Sequence, residues 1–92
     1  MEKFFMLTHR TITENDNTVK VLATTPTKLE AENILADERE KITKDMEERY
    51  DDVEVNHYDG GLISIFSDCN YETHHLQISE VIVGDPNEIE IF

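Results

Sequence analysis

The spacing of apolar residues along this chain changes twice, and the changes mark out its elements. Lys3 to Arg10 is rich in strand formers and has apolar residues on both alternating faces. A polar turn over Thr13 to Thr18 follows, and Val19 to Thr24 reads as the returning strand of an antiparallel hairpin. From Thr27 the spacing becomes helical. Ala31, Ile34, Leu35, Ile42 and Met46 share one arc at about 100° per residue, which predicts a helix to about Tyr50 with a single buried stripe. Thr27 and Glu30 have the spacing of a capping box, in which the hydroxyl accepts from an exposed amide and the carboxylate reaches back. The outer surface pairs opposite charges four residues apart, Asp37 with Lys41, Glu40 with Lys44 and Asp45 with Arg49.

After Asp51-Asp52 the period becomes two. Val53 to Tyr58 alternates, Asp59-Gly60-Gly61 is a turn, and Leu62 to Ser67 is the next strand. Asp68-Cys69-Asn70 makes a second turn before a long strand from Tyr71 to Val83. Gly84-Asp85-Pro86-Asn87 breaks that strand, and residues 84–92 form an extended tail or a short edge strand. The predicted fold is α+β: a single domain over residues 1–92 in β-β-α-β-β-β order, with one long helix on one face of an antiparallel sheet of about five strands.

A single helix covers only one side of a sheet. Alternation assigns Val53, Val55, Ile63, Ile65, Leu76 and Ile78 to the covered face, and Tyr58, Leu62, Phe66, Tyr71 and His75 to the other, with Glu54 nearby. The second face is therefore exposed, covered by the tail, or buried against another subunit. Exposed patches of this kind mark interaction sites, and a homodimer is the commonest assembly that consumes one.

Charge sharpens this picture. The chain carries 21 acidic and 8 basic residues, a formal net charge of −13. All of the bases lie at or before Arg49, so residues 50–92 are acidic without compensation. A partner reading that half is a basic protein surface, and direct contact with nucleic acid or an anionic membrane is disfavoured for lack of cations facing phosphate. No apolar run approaches the length of a membrane span, no secretory signal pattern opens the chain, and Cys69 has no internal disulfide partner; together these predict a cytoplasmic protein.

The remaining chemistry is sparse. His74 and His75 are adjacent and point to opposite faces of a strand, His57 and His75 are assigned to different faces, and paired zinc spacings are missing. The histidines read as surface or rim residues, with no metal and no cofactor expected. Asp51, Asp52, Glu54 and Asp59 lack the EF-hand pattern. Cys69 near His74 or His75 has the composition of a small hydrolase but no nucleophile elbow or oxyanion loop, and no catalytic residue is assigned. The carboxylate rows Glu40, Glu47, Asp51 and Glu30, Asp37, Glu48, Asp52 approximate the phosphate spacing of a duplex.

The segment Asp51-Asp52-Val53-Glu54-Val55, followed by a glycine turn and a Leu-Ile-Ser-Ile strand, resembles small acidic proteins of Gram-positive bacteria and their phages or mobile elements. The likeness covers about residues 27–83 and transfers no functional residue. It implies a phage-type DNA-mimicking inhibitor of a nucleic-acid-binding protein as one form of the acidic binding module. The expected module is non-catalytic, with Glu54, Asp59, Glu72 and Glu80 supplying charge and Tyr58, Phe66 and Tyr71 as aromatic anchors. The alternative is a structural homodimer without a separate ligand.

Overall fold

The structure, a computed structural model, describes residues 2–59, 61–83 and 89–91. Its elements follow the predicted order: β1 (Glu2–Ile12), β2 (Asn17–Thr25), α1 (Lys28–Arg49), β3 (Val53–Tyr58), β4 (Leu62–Ser67), β5 (Glu72–Val83) and β6 (Ile89–Ile91). The strands form one antiparallel sheet in the order β2-β1-β5-β4-β3, with α1 across one face. The long strand β5 is central. It pairs with β1 from Thr73 to Val83, while its other edge is shared between β4, from Glu72 to Gln77, and β6, from Val81 to Val83. Of the expected tail, Ile89–Ile91 is thus an edge strand; residues 84–88 and 92 lie outside the described residues, as does Gly60 of the predicted turn.

Local chemistry accounts for the boundaries. Thr27 is the N-cap of α1, and its hydroxyl accepts from the Glu30 amide at 3.3 Å. At the other end the Tyr50 amide donates to the Met46 carbonyl at 2.7 Å and the backbone turns extended. Gly61 leaves the β3–β4 turn at φ +78°, a left-handed conformation that favours glycine. Two of the predicted helix pairs form, Lys44 with Glu40 and Arg49 with Asp45. Lys41 pairs with Glu38 rather than Asp37, because the longer glutamate side chain reaches it from one position nearer.

The core lies between α1 and the sheet. Leu7, Ala31, Met46, Ile65 and Leu76 are fully buried, and Leu35, Ile63 and Ile78 nearly so. Phe5, Leu22, Ile34, Ile42, Val53 and Val55 pack around them. One irregularity reshapes the other side of the sheet. Between Leu7 and Thr8 the β1–β2 register slips by one residue, so that Ala23 lies opposite Leu7 but Val21 lies opposite Thr8. The extra residue, Leu22, packs into the core, and Val19 and Val21 move to the face away from the helix. They are 50% and 58% exposed.

Candidate functional site

The residues expected to bind a partner do not form one surface. Glu54, Tyr58 and Phe66 share the sheet face away from α1, where Glu54 lies opposite Phe66 and Tyr58 opposite Leu62. Asp59 is exposed in the turn at one end of that hairpin. Tyr71 lies in the β4–β5 turn at the other end of the sheet, 70% exposed and with φ 53°. Glu80 is half-buried on the helix side and paired with Lys3 at 3.2 Å. Glu72 is buried, at 8% exposure, beneath the C-terminal end of α1. Its carboxylate is spent on internal partners, so it is withdrawn from the expected binding set.

Those partners form a polar chain that sequence reasoning missed. Arg49 donates through Nη1 to Glu72 Oε1 at 2.8 Å and through Nη2 to Oε2 at 2.7 Å. The Tyr50 hydroxyl donates to Oε1 at 3.0 Å. His74 Nε2 lies 2.7 Å from Oε2, and His74 Nδ1 lies 2.8 Å from His9 Nε2. Thr11 Oγ1 closes the chain at 3.3 Å from the same His9 nitrogen. The guanidinium, with further bonds from His74 and Tyr50, outweighs burial and holds the Glu72 carboxyl at about 2. An ionised carboxylate only accepts, so His74 must carry a proton on Nε2. In the neutral pair its Nδ1 is then the acceptor and His9 is the Nε2–H tautomer. Burial, the adjacent His74 ring and Lys20 push the His9 pKa below its ordinary value, against the opposing pull of Glu38.

Two of the four histidines therefore depart from the surface role expected of them. His57 faces a groove between α1 and β3, and His75 lies on the face away from the helix; His9 and His74 form the interior pair. The sequence signal was faint. His9 is two residues from Leu7 and His74 two from Leu76, so both share the parity of core positions. Their contact depends on β1 pairing with β5, across 65 residues of chain.

The carboxylate rows are also altered. Asp52 is taken up by the β4–β5 turn: Ser67 Oγ donates to it at 2.6 Å, the Cys69 amide at 3.0 Å and Asn70 Nδ2 at 3.3 Å. The Ser67 hydroxyl first, and then the Cys69 amide, lower its pKa to about 2. Glu40 is paired with Lys44, which interrupts the other row. The Cys69 thiol is exposed, and the nearby Asp52 carboxylate pushes its pKa up, which lowers its thiolate fraction at neutral pH. Among the described residues no three His, Cys, Asp or Glu side chains converge to hold a metal ion, and no helix is long and apolar enough to cross a membrane.

Topology gathers acids that the sequence scatters. The segments between β1 and β2, between α1 and β3, and between β4 and β5 all lie at one end of the sheet. They carry Glu14, Asp16, Asp51, Asp52 and Asp68 and no lysine or arginine. A hollow opens there, lined by Ile12, Glu14, Ser67, Asp68, Tyr71 and Thr73. No protein-family model, curated protein or solved structure matches this chain.

Proposed function

We propose that this chain is a non-catalytic acidic protein-binding module that engages a basic protein surface through the acidic end of its sheet. The observation that carries the reading is the hollow lined by Glu14, Asp68 and Tyr71. An aromatic side chain that is 70% exposed is flanked there by carboxylates, a combination suited to an arginine or lysine of a partner. Tyr71 also occupies a left-handed backbone conformation that glycine or asparagine adopts at lower cost, so local backbone preference does not account for a tyrosine at this position. Of the anchors expected from sequence, Tyr71 is the one this reading retains.

The test is affinity capture on the full chain from a bacterial lysate, at low and high salt, alongside Tyr71→Ala and the double variant Glu14→Gln/Asp68→Asn. A basic protein retained at low salt, released as salt rises and lost with either variant supports the reading. Retention unaffected by both variants refutes it. The DNA-mimicking form makes one further demand: added duplex must displace the captured protein.

A further inference from the structure

The face of the sheet away from α1 differs from the rest of the molecule in its charge. Register places Glu2, Phe4, Met6, Thr8, Arg10 and Ile12 of β1 on it, next to Thr73, His75, Gln77, Ser79 and Val81 of β5. Leu62, Ser64 and Phe66 of β4 and Glu54, Asn56 and Tyr58 of β3 continue it on one side, and Val19 and Val21 of β2 on the other. Glu2, Arg10 and Glu54 are the acidic and basic side chains among these residues, a net of −1 in a protein of −13. Val19, Val21 and Tyr58 are each at least half exposed. The described tail strand β6 lies beside β5 within the sheet and does not cross this face.

We infer that this face is the interface between two copies of the chain, packed sheet on sheet with the helices outward. Three considerations select a second copy as occupant. A basic partner is matched by the acidic end, whereas this face offers it almost no charge; its own match is a nearly neutral surface of mixed apolar and uncharged polar side chains of the same dimensions. A second copy presents that surface, and a two-fold axis across the sheet, perpendicular to β5 at the level of Gln77, lays each strand over its own copy in reverse, with Thr8 and Leu62, which flank Gln77, meeting their counterparts. The size also suffices. Strands about 4.8 Å apart and about 25 Å long give roughly 600 Å² per copy, so the pair reaches the roughly 1,200 Å² at which specific interfaces begin.

Electrostatics permits the arrangement in spite of the net charge. With layers about 10 Å apart, the two helices are separated by about 30 Å, several times the Debye length of about 8 Å at physiological salt. A two-fold axis perpendicular to β5 also puts the acidic loops of the two copies at opposite ends of the pair.

Sedimentation equilibrium on the full chain, from micromolar to near-millimolar concentration, tests this inference. The expected result is twice the chain mass of 10.7 kDa at the upper concentrations. Val21→Glu/Tyr58→Glu alters two exposed positions, so the fold is retained, and is expected to weaken association by about a hundredfold or more. Leu29→Glu, at a 67% exposed position on α1, is the control expected to leave the dimer intact. A wild-type chain that stays monomeric throughout, a dimer indifferent to Val21→Glu/Tyr58→Glu, or one broken by Leu29→Glu would each overturn the inference. None of these results bears on the acidic end, whose test reads capture rather than mass.

Discussion

Glu72→Gln is the substitution that most directly probes how this fold is held together. The carboxylate lies at about 2 where an ordinary glutamate titrates at 4.5, which corresponds to a ceiling of about 3 kcal/mol of stability at neutral pH. Arg49 is 41% exposed and keeps Asp45 as a second partner, so part of that value is returned by rehydration when Glu72 is neutralised. Glutamine preserves one carbonyl oxygen, which accepts from either Tyr50 or His74 but not from both. A loss of about 2 kcal/mol at pH 7 follows. Between pH 4.5 and about 2 the unfolded chain binds a proton at this position that the folded chain does not, so the contribution rises with pH across the window. It is fully present above 4.5 and is lost as pH falls towards 2. Urea denaturation of both proteins at a series of pH values is the assay. The gap between wild type and Glu72→Gln should be about 2 kcal/mol at neutral pH and close towards zero near pH 2, where protonated glutamate and glutamine are nearly isosteric. A gap that is absent at pH 7, or constant with pH, would refute the reasoning.

Two further outcomes follow from the same structure. Because His9 is held below its ordinary 6.5, the unfolded chain takes up a proton first as pH falls; wild-type stability should decline below pH 6.5, and His9→Gln should flatten that decline in the same denaturation series. Gly61→Ala should cost about 1–2 kcal/mol in chemical denaturation, since alanine is strained at φ +78° and its Cβ would lie 3.4 Å from the Ile78 Cβ.

Much of the fold was legible in one dimension because its signals are local. The N-cap at Thr27, the helical stripe through Ala31, Leu35 and Met46, and the alternation of β3 and β4 each involve residues a few positions apart. Backbone geometry fixes which of those neighbours share a face, so the inward assignment of Val55, Ile65 and Leu76 and the outward assignment of Tyr58 and Phe66 needed no tertiary information.

The binding residues were less legible, because charge by itself does not state whether a carboxylate is free. Glu72 and Asp52 looked like two more acids in an acidic half. The fold gives one to Arg49 and His74 and the other to a turn. The β1–β2 bulge that moves Val19 and Val21 onto the open face leaves no composition signal in the strand that carries it.

Residue identity and short-range spacing thus determined the elements, the helix face and the excess of negative charge. Tertiary structure alone decided that β1 lies beside β5, and through that pairing built the His9–His74–Glu72–Arg49 chain, gathered the acids of three loops at one end and left the opposite sheet face nearly uncharged. The physical reason is that strand order depends on contacts between segments separated by dozens of residues. Their register is selected by joint burial against the helix rather than by the preference of either strand alone.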